Sequence, residues 1–265
     1  MSKKVIIPLP DKDFDTTEVS IPWKHFIKAG LQVTFSTETG RVGQTDPRLL
    51  AGVIFGQLGA KPDAIAAYRE LEKNEAFQHP IPYENIDPQE YDLLLLPGGH
   101  AKGMRQYLES KVVQQKALEI LRQNKVVGAI CHGVLVLART IDPETGRSVL
   151  YGRKLTGLTK GLERAGYYLT FWRLGDYYRT YPEYVEDETV SVLEQKSDFM
   201  HNGSIRKPFV VEDGNLITAR YPGDAHLFAQ KLLDRVKLDT SDTTATSATN
   251  SLDSSIRGRH DLSHG

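Results

Sequence analysis

Residues 124–140 read NKVVGAICHGVLVLART, and this stretch restricts the fold more than any other part of the chain. Val126 to Ile130 is a run of β-branched and small apolar residues without polar alternation, the pattern of a strand buried on both faces. From Val134 an apolar helical pattern begins, so strand passes into helix with only Cys131, His132 and Gly133 between them. So short a turn holds its first residue on a strained elbow, with the side chain projecting from the carboxyl edge of the sheet. Cys131 occupies that position. A helix N-terminus carries positive partial charge and a neighbouring His132 can take the thiol proton, so the elbow predicts a thiol pKa below the free value of roughly 8.5. The residue types leave a second reading open, in which Cys131 is a small core residue, as most free cysteines are.

The remaining periodicities supply the rest of an α/β fold. Lys4 to Leu9 reads as a first buried strand and Leu31 to Ser36 as a second. Between them Val19, Trp23, Phe26 and Ile27 fall at helical spacing and end at Gly30, which makes a right-handed βαβ unit. Leu93 to Leu96 is a third strand, and the pattern from Lys111 is the helix that feeds the elbow strand. A hairpin is expected through Pro143 to Gly146, a strand around Lys154 to Leu158, a second hairpin turning at Asp213 and Gly214, and a closing helix from about Gly223. Residues 40–88 are longer than a crossover requires. Helical patterns beginning at Asp46 and Asp63 make this an inserted helical cap over the site, or equally an oligomer contact. One domain over residues 1–238 follows. The tail 239–265, rich in Ser, Thr, Asp and Asn, reads as disordered and carries no chemistry.

Composition excludes several functions. A chain of 265 residues with 40% hydrophobic content can bury one sizeable core. A formal net charge of −1 gives no basic excess, which argues against nucleic acid as a partner. No apolar run approaches the ~20 residues needed to span a bilayer, and MSKKVIIPLP has too short an apolar part for a secretory signal. One cysteine cannot form an internal disulfide, so residence in the cytoplasm is the expectation.

Candidate site residues cluster around the expected carboxyl edge of the sheet. Glu18 lies early in the first helix, where it either approaches Cys131 or serves as an exposed dipole partner. Gly98 and Gly99, in the turn Pro97 to His100, can present main-chain amides without Cβ obstruction, as an oxyanion site requires, or can form only a tight turn. Glu163 can orient an imidazole if the strand before it neighbours the elbow strand, though helix starts are rich in Glu for other reasons. Tyr167, Tyr168, Phe171, Trp172, Tyr177, Tyr178 and Tyr181 form an aromatic segment that suits a helix face, an interface or a substrate wall. His100, Glu18 and Cys131 fit no zinc-binding spacing, and no metal is assigned.

LLLLPGGHAKGM followed by VVGAICHG, with an early TEVSIP, resembles the ThiJ/PfpI superfamily, whose fold is similar to the class I glutamine amidotransferase domain. The likeness runs from about Lys4 to Val236. It implies a flavodoxin-like three-layer sandwich with a mostly parallel central sheet. The long insertion and the PGGH form resemble the heat-shock chaperone subgroup that acts as glutathione-independent glyoxalases, or glyoxalase III. The resemblance implies Cys131 as nucleophile, His132 as base, Glu163 of LTGLTKGLE as third triad member, and Glu18 as the carboxylate bonded to the thiol. Gly99 and the His132 amide become oxyanion donors, with Gly98 and His100 beside the substrate. A small-molecule aldehyde substrate, no cofactor and a homodimer are implied as well. Lys160 departs from the acidic residue of many relatives. Two other readings stay open: an amidase or peptidase-like hydrolase using the same triad, and a non-catalytic chaperone or redox sensor in which Cys131 becomes a sulfinic acid.

Overall fold

The apolar runs form the middle of a seven-stranded sheet in the computed structural model, which describes residues 2–55 and 57–237. In chain order the elements that position the site are β1 (Lys4–Pro8), α1 (Thr16–Lys28), β2 (Gln32–Thr37), α2 (Pro47–Ala51), α3 (Pro62–Leu71) and β3 (Ile81–Pro82). Then come β4 (Leu93–Leu96), α4 (Lys111–Arg122), β5 (Val126–Ile130), α5 (Val134–Ala138), α6 (Lys160–Leu174) and α7 (Val185–Ser191). The chain closes with β6 (Val210–Asp213), β7 (Leu216–Ala219) and α8 (225–237). The expected tail lies outside the described residues.

Strand order is β6-β7-β5-β4-β1-β2-β3, parallel throughout except for the β6–β7 hairpin. This is the mostly parallel α/β sheet that the sequence predicts. β4 and β5 are central and wholly buried, which is why their sequences carry no polar alternation. Their register pairs Leu96 with Ala129, so the two strands end nearly level. The Pro97–His100 turn and the Cys131 elbow therefore leave the sheet side by side, at its carboxyl edge.

Two expectations differ in detail. Lys154 to Leu158 adds no strand to the sheet: Leu155 makes a single bridge to Phe199, and the Thr156 amide donates to Thr218 Oγ1 at 2.8 Å. The place beside β5 is already taken by β7, so this segment can only run across it. The helical pattern from Asp63 ends at Leu71 and resumes as a separate turn at Glu75–Gln78. Within the insertion α3 packs on α1, where Ser20 Oγ donates to the Ala64 carbonyl at 3.1 Å, and the chain from α2 to Ala60 walls a cavity described below. No helix among the described residues is long and apolar enough to cross a membrane.

Candidate active site

Cys131 follows β5 directly and has φ of +57°, in the left-handed region that costs a non-glycine residue about 1–3 kcal/mol. Two glycines let the surroundings hold this strain. A Cβ on Gly133 would fall 2.1 Å from the Leu96 carbonyl oxygen, and one on Gly98 would fall 2.7 Å from the His132 nitrogen and 2.9 Å from Cys131 Cβ. Only bare backbone allows the end of β4 and the elbow to close on each other.

The start of α1 is stitched to the same place. Asp15 caps the helix, its Oδ1 accepting from the Thr17 and Glu18 amides at 2.8 and 3.0 Å. Its own amide donates to the Gly98 carbonyl at 2.9 Å, and the Gly98 amide donates to Glu18 Oε2 at 2.7 Å. Glu18 is fully buried, with its carboxyl in hydrogen-bonding reach of the Cys131 thiol. It is not an exposed dipole partner. Oε1 of the same carboxyl has no aligned hydrogen-bond partner among the described residues. Gly98, expected beside the oxyanion, instead commits its amide to holding Glu18.

On the other side of the sulfur, His132 Nδ1 lies 3.5 Å from Sγ. Its Nε2 meets Thr180 Oγ1 at 3.1 Å, and that hydroxyl donates to the His100 carbonyl at 2.6 Å. Counting protons settles the tautomer. Thr180 has one proton and gives it to the carbonyl, so it can only accept from Nε2–H, which leaves Nδ1 as a bare acceptor facing the thiol. Glu163 does not occupy the position expected of it. Its carboxylate accepts from Arg179 Nη1 at 3.1 Å and from the Val185 amide at 2.9 Å, and no hydrogen bond joins it to His132 among the described residues. Placed one turn into α6, it holds the loop that carries Thr180 at Arg179, the residue before it, and at Val185, where α7 begins. Arg105 Nε holds that loop from the third side by donating to the Thr180 carbonyl at 2.6 Å. Thr180 carries no sequence signal of its own: a threonine inside an aromatic segment belongs to no catalytic pattern.

Burial dominates the electrostatics. It pushes the Cys131 thiol well above its ordinary value, and the carboxyls of Glu18 and Asp15 push it further, outweighing the His132 amide that points at the sulfur. The lowered thiol predicted from the elbow is therefore not found. α5 has only five residues and is preceded by a tight 3₁₀ turn, so it offers little dipole to set against full desolvation. Glu18 is likewise raised well above the carboxylate range, and Asp15 to about 6, both chiefly by burial. Burial lowers His132 well below its usual value and His100 to about 4. Burial thus favours the protonated thiol of Cys131, the protonated carboxyl of Glu18 and the neutral imidazole of His132.

Cys131 has no solvent exposure. Close by is His100, whose ring lies 4.8 Å from the His132 ring and lines a cavity of about 280 Å³. The ring nitrogens of His100 and His132 and the Cys131 sulfur lie within 4.8 Å of one another, a nitrogen and sulfur donor set able to hold a soft divalent cation once the thiol proton is displaced.

Residues 9–192 match the sequence profile described as ThiJ/PfpI family-like. An uncharacterised protein of Schizosaccharomyces pombe is 35% identical over 109 residues, which span 40% of this chain and 41% of that protein. Glyoxalase 3 of Candida albicans is 25% identical over 212 residues, 80% of this chain and 84% of its own length. The crystal structure of glyoxalase III from Candida albicans superposes with a TM-score of 0.66 at 22% identity, over 88% of this chain and 97% of that one, which places the two in the same fold.

Proposed function

The chain belongs to the ThiJ/PfpI-like family, and on that premise we propose that it is a cysteine-dependent, glutathione-independent glyoxalase that converts small 2-oxoaldehydes such as methylglyoxal to 2-hydroxy acids. The observation that carries the reading is one sulfur held between two proton carriers, the Glu18 carboxyl and the His132 imidazole. An aldehyde isomerisation requires a nucleophile and a group that moves a proton between adjacent carbons, and both are supplied here.

In the first step His132 Nδ1 takes the thiol proton as Sγ forms a bond to the aldehyde carbon. The carbonyl electron pair passes to oxygen, which the His132 and Gly99 amides would hold until the His132 imidazolium or the Glu18 carboxyl protonates it. The product is a hemithioacetal. Glu18 or His132, whichever has given its proton to that oxygen, then removes the proton from the former aldehyde carbon and a proton returns to the neighbouring carbon, whose oxygen becomes a hydroxyl, leaving a thioester. Water cleaves the thioester, releasing the 2-hydroxy acid and restoring the thiol. One oxoaldehyde and one water give one hydroxy acid, with no net oxidation or reduction. Glu163 acts at one remove in this scheme, as the anchor of the Thr180 loop.

The hydrolase reading is weaker on geometry. Acyl transfer of the triad type orients its imidazole with a carboxylate or an amide, and here the imidazole meets a threonine hydroxyl. A peroxide sensor reacts as a free thiolate, which burial and the nearby Glu18 and Asp15 carboxyls disfavour here. The same reading carries a homodimer in a reducing cytoplasm, and sedimentation at micromolar concentration tests the dimer. For the chemistry, Cys131→Ser should abolish lactate formation from methylglyoxal without glutathione. Retained lactate formation in that variant, or turnover of peptides and esters in its place, would overturn the proposal.

A further inference from the structure

A methyl group is a poor match for the space beside this site. The cavity holds about 280 Å³, whereas an apolar cavity of ~150 Å³ is already enough to take up a benzene ring. Its polar lining is Asp15, Thr17 and Tyr178, all buried, together with His100, which has a ring nitrogen within 4.8 Å of Sγ. Its apolar lining is Leu49, Val53, Leu58 and Ala60 on and after α2 and Leu169 on α6. Leu58 and Leu169 also reach the surface, at 53% and 56% exposure. Beside them Phe55 lies 6.3 Å from Trp172, ring to ring, with both rings exposed. The insertion and the aromatic segment thus meet as an apolar lip around a cavity whose polar lining includes His100, close to the thiol.

We infer that the oxoaldehyde this site takes bears an apolar substituent, an aryl ring or an alkyl chain of several carbons, which lies between the α2–Ala60 segment and α6 while the oxoaldehyde head reaches past His100 to Cys131. The inference rests on the glyoxalase reading above and narrows it. A methyl substituent leaves the apolar walls unfilled. A ring uses about half of the volume and leaves the rest for the head group.

The test is kcat/KM across methyl-, butyl- and phenylglyoxal without glutathione, in the full chain. Methyl and butyl substituents leave the carbonyl's reactivity alike, so a rise between them reports the cavity. At least a tenfold gain from methyl to butyl or phenyl is expected, since a single added methylene in an apolar pocket is worth roughly 10–200-fold. Leu169→Asp, at an exposed position that folding tolerates, should cut the phenyl-to-methyl ratio by about tenfold or more. Methylglyoxal turned over as well as the larger substrates, or a ratio unmoved by Leu169→Asp, would overturn the inference and leave the glyoxalase reading standing. If none of the three is turned over, the glyoxalase reading fails, and calorimetry decides the cavity by itself. 1-Phenylpropane-1,2-dione should bind at least tenfold more tightly than butane-2,3-dione, and equal affinities would refute the apolar substituent.

Discussion

Thr180→Val removes one hydroxyl from the centre of the site at nearly constant volume. Two hydrogen bonds go with it, from His132 Nε2 at 3.1 Å and to the His100 carbonyl at 2.6 Å. Each partner left unpaired in a buried setting costs about 1–3 kcal/mol, so the variant should lose measurable stability. The catalytic effect is separate. Without the acceptor nothing holds the proton on Nε2, and the Nδ1–H tautomer presents a donor to the thiol where a base is needed. A hydrogen bond of about 1–2 kcal/mol that sets this preference corresponds to a fall in kcat of about five- to thirty-fold. KM should stay close to wild type, because substrate binding does not involve that nitrogen. Glu163→Gln is the matched control. The single amide oxygen can keep only one of the two bonds, to Arg179 or to the Val185 amide, and the NH2 then faces the other donor, but His132 keeps its Thr180 acceptor, so kcat should change by no more than about threefold. Were Glu163 instead the residue orienting the imidazole, the same change would cost roughly 10⁴-fold, the loss seen when a triad carboxylate becomes an amide. Steady-state methylglyoxal consumption and thermal unfolding of both variants decide the matter. A Glu163→Gln defect larger than that of Thr180→Val, or a Thr180→Val enzyme with wild-type kcat, would refute the reasoning.

Other predictions concern the buried charges. Alkylation of Cys131 by iodoacetamide should be slow at pH 7 and rise with a midpoint above that of free cysteine, roughly 8.5; a midpoint below 7 would contradict the protonated thiol. His100→Ala removes a ring that lines the cavity within 4.8 Å of the sulfur and should speed that alkylation several-fold at fixed pH, which unchanged kinetics would disprove. Burial raises Glu163 to about 7 from its usual 4.5, so across that window the folded protein keeps a proton that the unfolded chain has released. Each rise in pH then favours unfolding. At about 1.4 kcal/mol per pH unit the loss reaches about 3 kcal/mol above pH 7. Denaturant unfolding at pH 5 and pH 8 should show it, and Glu163→Gln should remove this part of the dependence, leaving Glu18 and Asp15 acting in the same direction and the lowered His100 and His132 opposing them.

Local pattern was enough for the frame. An unbroken apolar run followed within three residues by a helical pattern is a statement about neighbours in the chain, and β5, the elbow and Cys131 fall where it puts them. Glu18 was legible for a related reason, since a helix that leaves the sheet's carboxyl edge begins beside whatever else ends there. The partner of His132 was not. Glu163 and Thr180 lie 31 and 48 residues from the imidazole, and which of them reaches it depends on how α6 and the following loop settle against β5. Sequence spacing favoured the carboxylate, but packing turned it toward Arg179 and Val185. The sign of the thiol shift was decided in the same way. Chain neighbours argue for a thiolate, whereas desolvation and two nearby carboxyls act through space and only once the fold is closed. Residue order therefore determined which groups exist and which strand edge they leave from. Tertiary contact decided where each proton sits, because proton affinity answers to burial and to partners that are remote along the chain.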